Sequence, residues 1–144
     1  MCGDGTSTAI DPIIPTTVYI SCQFTSVHVS YQKGAPGTFF PAVNGINLQD
    51  PASFVPPLVA DPNLPNVVYF ATMTVYESVD DANTWAPISG NIGSPSNGMI
   101  NTLAIGSTNS SAIYAGLSNG VVELENNANS GNFANFSPVL GQAT

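Results

Sequence analysis

Short runs rich in Val, Ile, Thr and Tyr, each broken by a polar turn, make up most of this chain. The clearest example lies between Val67 and Ile88. There the run Val67, Val68, Tyr69, Phe70 is followed by Thr74, Val75, Tyr76 and then by the polar knot Ser78-Val79-Asp80-Asp81-Ala82-Asn83. The chain turns apolar again at Thr84-Trp85. β-Branched and aromatic runs leading into a tight polar turn predict a strand hairpin. Earlier, Val27 and Val29 flank His28, which alternation puts on the opposite face of its strand. No window holds a sustained helical period, and no apolar run approaches the ~20 residues that span a bilayer. The expectation is an all-β protein with no membrane insertion.

The pattern repeats. Asp11-Pro12-Ile13-Ile14-Pro15-Thr16-Thr17-Val18-Tyr19 aligns without a gap to Asp61-Pro62-Asn63-Leu64-Pro65-Asn66-Val67-Val68-Tyr69, 50 residues later. A looser third copy runs from Ile105-Gly106-Ser107 to Ala112-Ile113-Tyr114. The spacing predicts four strands per copy: 7–10, 18–22, 26–30 and 38–42, then 57–60, 67–72, 74–78 and 84–88, then 101–105, 112–116, 120–124 and 133–137. Repeat 1 covers about 6–43, repeat 2 about 55–90 and repeat 3 about 99–140, forming a single unit over 1–144. Four strands at this period fit a β-propeller blade, whereas a β-sandwich gives no reason for the repetition.

The turn Ser78-x-Asp80-x-Ala82-x-Thr84-Trp85 resembles the Asp-box, Ser-x-Asp-x-Gly-x-Thr-Trp, of BNR-type β-propellers. Ala82 departs from the pattern, at a place where only Gly turns freely. Copy one has Gln32 at the Asp position and copy three has Asn127. The whole chain is similar to three tandem units of the large propellers, such as sortilin ectodomains, xyloglucanase-like glycosidases and photosystem II assembly factors. The resemblance implies a structural role for Ser78, Asp80, Thr84 and Trp85, with the turn fixed by the polar groups and Trp85 packed between blades. Propellers close with ~4–8 blades, so three form half of a six-bladed ring or a segment of a larger one. The implied partners are a second copy in a homodimer, or the remaining blades of a longer chain.

Charge narrows the choice of partner. The chain carries one Lys, Lys33, no Arg, and a net charge of −8, with charged residues at only 7%. Phosphate neutralisation needs Lys and Arg, so nucleic acid is excluded as a partner and anionic membranes are disfavoured. An acidic chain with so little for trypsin-like proteases to cut fits an extracellular or cell-surface location, with the periplasm also open. Cys2 and Cys22 are the only cysteines. Either they pair, closing a loop worth ~3 kcal/mol on the chain-entropy model, or Cys22 is a buried thiol and Cys2 a frayed one.

Candidate chemistry is sparse. Asp11 and Asp61 resemble an acid–base pair in type, yet their repeat equivalence points to turn chemistry beside Pro. His28, the only His, has no second His to share a metal, and the Asp80 turn offers too few oxygens for Ca²⁺. Neither a metal nor another cofactor is expected, and no catalytic residue is assigned. Sialidases that carry the same box bind the substrate carboxylate through Arg, so that activity is excluded. Tyr19, Tyr69 and Tyr114 recur once per copy and are expected between blades, while Tyr31, Phe39, Phe40, Tyr76 and Trp85 are expected in or near blade-edge loops. Asn109-Ser110-Ser111 and Asn135-Phe136-Ser137 are glycosylation sequons in form. The resulting expectation is a non-catalytic secreted or surface scaffold that binds protein or glycan. The alternative is part of a xyloglucanase-like glycoside hydrolase whose catalytic carboxylates lie partly outside this chain.

Overall fold

The structure, a computed structural model, describes residues 3–94, 96, 98–125 and 136–140. Twelve strands follow one another: β1 (Gly5–Ile10), β2 (Val18–Cys22), β3 (Ser26–Ser30), β4 (Phe40–Pro41), β5 (Leu58–Ala60), β6 (Val68–Ala71), β7 (Val75–Ser78), β8 (Ala86–Pro87), β9 (Ile100–Gly106), β10 (Asn109–Leu117), β11 (Val122–Glu125) and β12 (Ser137–Leu140). They form three antiparallel sheets of four, each a simple meander in chain order. The first strand of each sheet packs on the first strand of the next, β1 on β5 and β5 on β9. Each sheet is one blade, and no helix occurs among the described residues.

Register makes the blades superimposable in chemistry as well as shape. Tyr19 stands opposite Ala9 and Val29, Tyr69 opposite Val59 and Glu77, and Tyr114 opposite Ala104 and Leu124. Because side chains alternate, each blade has a leading face carrying these tyrosines and a trailing face carrying their neighbours Val18, Val68 and Ile113. The leading face of blade 1 (Tyr19, Val27, Val29) joins the trailing face of blade 2 (Leu58, Val68, Phe70, Tyr76) in one core, with Trp85 and Ala82. The leading face of blade 2 (Tyr69, Ala71, Val75) joins Leu103, Ile113, Ala115 and Leu117 of blade 3 in a second.

Three expectations are corrected here. Tyr114 occupies the position of Tyr19 and Tyr69, both fully buried, yet it is 41% exposed because no described blade follows it. Tyr76 is core rather than loop edge, at 3% exposure. The outer strands β4 and β8 are only two residues long. The residues expected to begin them are held by the turns instead: Thr38 N–H and hydroxyl both donate to Ala35 O (3.1 and 2.6 Å), and Thr84 donates to Asp80. Pro41 and Pro87 then remove a ladder donor. In blade 3 the outer strand begins at Ser137 rather than ending there, with Ser137 opposite Leu124. The degenerate turn of copy three, 126–133, lies outside the described residues, as do Cys2 and Asn135.

The connection between blades 1 and 2 is pinned, not loose. Asp50 accepts from Tyr76 Oη (2.9 Å), Thr72 Oγ1 (3.2 Å) and Asn47 Nδ2 (2.6 Å). Gly45, at φ +99°, lies against the backbone of Trp85, where an added Cβ would sit 2.1 Å from its carbonyl oxygen. No side chain fits there.

Candidate functional site

The turn between β7 and β8 is a closed hydrogen-bond unit. Ser78 Oγ donates to Asp80 Oδ1 (2.9 Å) and accepts from Ala82 N–H (2.9 Å). Thr84 N–H donates to Asp80 Oδ1 (2.8 Å) and its hydroxyl to Asp80 Oδ2 (2.6 Å). Burial acts to raise the Asp80 pKa, but the bonds from Thr84, Ser78 and Asn83 outweigh it and hold the carboxyl below its ordinary value. Asp81 and Ala82 take positive φ, 61° and 65°. Ala82 thus adopts the turn usually given to Gly, and its methyl is fully buried in the core between blades 1 and 2. Trp85 is 5% exposed, donates from Nε1 to Ala42 O (2.9 Å), and meets the Phe70 ring edge-on at 6.2 Å.

The corresponding turn of blade 1 has the same backbone but different chemistry. Lys33 N–H bonds to Thr16 O (2.9 Å) as Asp81 N–H bonds to Asn66 O (3.0 Å). Lys33 and Gly34 take φ of 55° and 70°, so Lys33 stands where blade 2 has Asp81.

Asp11 and Asp61, both essentially buried, lead the loops between the first two strands of blades 1 and 2. Asp11 Oδ1 accepts from Ile13 and Ile14 N–H (2.8 and 2.7 Å), the local turn chemistry the sequence predicts. Asp61 Oδ1 does the same for Asn63 and Leu64 (2.7 and 3.1 Å). Each carboxylate also reaches into the next blade, which sequence reasoning missed. Asp11 Oδ2 accepts from Asn66 N–H (2.7 Å), and Asp61 Oδ1 from Ser110 Oγ (2.8 Å).

Tyrosine hydroxyls complete these clamps. Tyr19 Oη donates to Asp81 Oδ1 (3.1 Å) across the interface of blades 1 and 2. Tyr69 Oη lies 3.0 Å from Glu77 Oε1 and 3.4 Å from Asp61 Oδ2. Burial raises both tyrosine pKa values, aided by the adjacent carboxylates. Burial also raises that of Glu77, with the Asp61 charge adding to it and the Tyr69 hydrogen bond opposing it.

Other candidates stay apart. His28 is half-buried on the trailing face of blade 1, its Nδ1 3.8 Å from Cys22 Sγ, and burial lowers its pKa. Cys22 itself is buried. Among the described residues no group of three or more His, Cys, Asp and Glu could hold a metal ion. Asn109 is exposed at the start of β10, its Oδ1 accepting from Ser111 N–H (3.1 Å) and Oγ (2.8 Å). Phe39 is half-buried beside Gly34, and Tyr31 and Phe40 pack ring to ring at 5.4 Å on the surface.

Solved structures share this fold. YCF48 bound to a D1 peptide is similar over 97% of this chain, with a TM-score of 0.67 and 11% identity. The GH74 enzyme of Niastella koreensis is similar over 96%, with a TM-score of 0.68 and 18% identity. The GH74 xyloglucanase of Xanthomonas campestris covers 95%, at 0.65 and 18%. The fold is that of β-propeller blades. The chain spans only 42% of the YCF48 structure and 23% of each of these two GH74 enzymes. No family model matches it, and no curated protein sequence matches it.

Proposed function

We propose that this chain is a non-catalytic propeller module, secreted, surface-exposed or periplasmic, that serves as a scaffold or binds protein or glycan. Its ring is completed by blades beyond these three, either from a second copy or from a longer chain. The observation that supports the non-catalytic reading is the occupation of the carboxylates. Asp11, Asp50, Asp61 and Asp80 each accept three or more hydrogen bonds from the chain's own groups. Glycoside hydrolysis needs two carboxyls ~5–9.5 Å apart, free to exchange a proton and to attack or activate water. Carboxylates saturated by turns and clamps serve folding instead. A protein partner is supported by the similarity to a propeller that holds a peptide.

The hydrolase alternative draws on the similarity to xyloglucanases, with the catalytic carboxylates partly outside this chain. Reducing-end release from xyloglucan, measured beside calorimetric titration with xyloglucan oligosaccharides, separates the two readings. The module reading expects no release. Turnover that survives repurification and disappears on substitution of one carboxylate would sink it.

A further inference from the structure

The two end faces of the three-blade stack carry the same positions as the faces that meet inside it. The leading face of blade 3 presents Thr102, Ala104, Tyr114, Gly116, Val122 and Leu124, where blade 1 presents Ser7, Ala9, Tyr19, Ser21, Val27 and Val29. Tyr114 is 41% exposed and Val122 and Leu124 half-exposed, although Tyr19, Val27 and Val29 are fully buried. The trailing face of blade 1 presents Thr8, Ile10, Val18, Ile20 and His28, with Ile10 56% exposed. Blade 2 uses the matching positions, Leu58, Ala60, Val68, Phe70 and Tyr76, to cover Tyr19.

Charge singles out what covers these faces. The chain has nine acidic residues, yet among the described residues neither end face carries a carboxylate, whereas the buried leading face of blade 2 includes Glu77. Two copies of net charge −8 can approach only through surfaces that carry no like charge. The clamp positions have changed together. The place of Asp11 and Asp61 is Gly106 in blade 3, so that blade offers the next one no acid. The place of Asp81, which receives the Tyr19 hydroxyl, is Lys33 in blade 1, the only basic side chain in the protein. Set against each other, these faces put a Tyr114 hydroxyl beside the Lys33 ammonium, which donates to it, and leave no carboxylate stranded.

We infer that a second copy of this chain covers both faces: blade 3 of one protomer packs on blade 1 of its partner, twice about a two-fold axis, closing a six-bladed ring. The two contacts repeat the inter-blade packing already present inside each protomer, and six blades fall within the ~4–8 that close. The inference rests on the ring-completion reading above and selects one of its two sources. The interface is apolar at its centre, with Tyr114 against Ile20, the position held by Phe70 opposite Tyr19 and by Ala115 opposite Tyr69.

Light scattering and hydrophobic-dye binding on the wild-type protein test this, together with Ile20→Glu, Tyr114→Lys and the double variant. Both sites lie on open faces, so circular dichroism should show folded protein throughout. The expected result is a dimer of twice 14.9 kDa that binds no dye. Each single variant should shift to a dye-binding monomer, and the double variant should return to a dimer through the charge pair formed between copies. A wild-type monomer that binds dye overturns the second copy but leaves ring completion by a longer chain standing. A monomer that binds no dye overturns both. A dimer indifferent to either single substitution overturns the placement of these faces.

Discussion

The two internal interfaces use one register and different side chains. Between blades 1 and 2 the core is aromatic: Tyr19, Phe70, Tyr76 and Trp85, with Trp85 tied to Ala42 O. Between blades 2 and 3 it is largely aliphatic, with Val75, Ile100, Leu103, Ile113 and Leu117 around Tyr69. The clamps differ in the same way. Asp11 accepts from a backbone N–H that any residue except Pro supplies, while Asp61 accepts from the Ser110 hydroxyl, which depends on that side chain. A propeller interface therefore tolerates wide change in its filling. It preserves the alternation that decides which face is apolar and the carboxylate at the loop that fixes how far the blades slide.

Emptying the aromatic interface should produce the largest effect. Trp85→Ala should cost ~3–5 kcal/mol by chemical denaturation, since it removes a buried ring and strands a carbonyl. A loss under about 1 kcal/mol would remove Trp85 from the core. Next, Cys2→Ser should lower the stability of oxidised protein by ~3 kcal/mol if Cys2 and Cys22 pair, as we propose. That staple belongs to blade 1, which meets only blade 2 inside the chain, so the loss should fall on the first interface and not the second, and an unchanged melting temperature removes the staple.

Asp11→Asn and Asp61→Asn sharpen the contrast between clamps. Each should cost ~1.5–3 kcal/mol, the worth of a hydrogen bond to a charged group. Asp11→Asn should be the worse, because an amide that still serves Ile13 and Ile14 turns an N–H toward Asn66 N–H. In Asp61→Asn the amide oxygen that serves Asn63 and Leu64 also keeps Ser110, and the NH2 replaces Oδ2 beside the Tyr69 hydroxyl, which can rotate to accept. Equal costs would refute this distinction.

The smallest effects are two pH dependences, one from Glu77 at the second interface and one from Asp80 in the β7–β8 turn. The folded pKa of Glu77 is raised, so the stability linked to it is fully present below its unfolded pKa. That stability is lost as pH rises through the folded value. Asp80 has the opposite sign: its pKa is lowered, so its contribution is present above the ordinary carboxylate value and lost as pH falls through the folded one. Glu77→Gln should raise the melting temperature at pH 7 and flatten its decline with pH above the ordinary Glu pKa. An unchanged profile would show that Glu77 does not couple to folding.

Much of this was legible in the residues. The Asp-Pro loops, the strand before each and the Val-Tyr after each repeat because turn chemistry acts over two or three residues and strand alternation over two. Such short-range rules also give turn hydrogen bonds to Ser78 and Asp80, but not the positive φ of Ala82, which stands where only Gly turns freely. Sequence alone therefore determined an all-β chain of three four-stranded repeats and the carboxylates that would serve its turns. It did not determine which repeated position is covered. Tyr19, Tyr69 and Tyr114 are equivalent along the chain, but burial belongs to the pair of faces, and only a following blade hides the ring. Nor could it show Asp11 reaching Asn66 or Asp61 reaching Ser110, since those partners meet only when separate meanders stack. The outer strands shortened for the same reason: the turn residues that begin them found bonds closer at hand. Tertiary packing decided these points, because it alone sets what stands opposite each face.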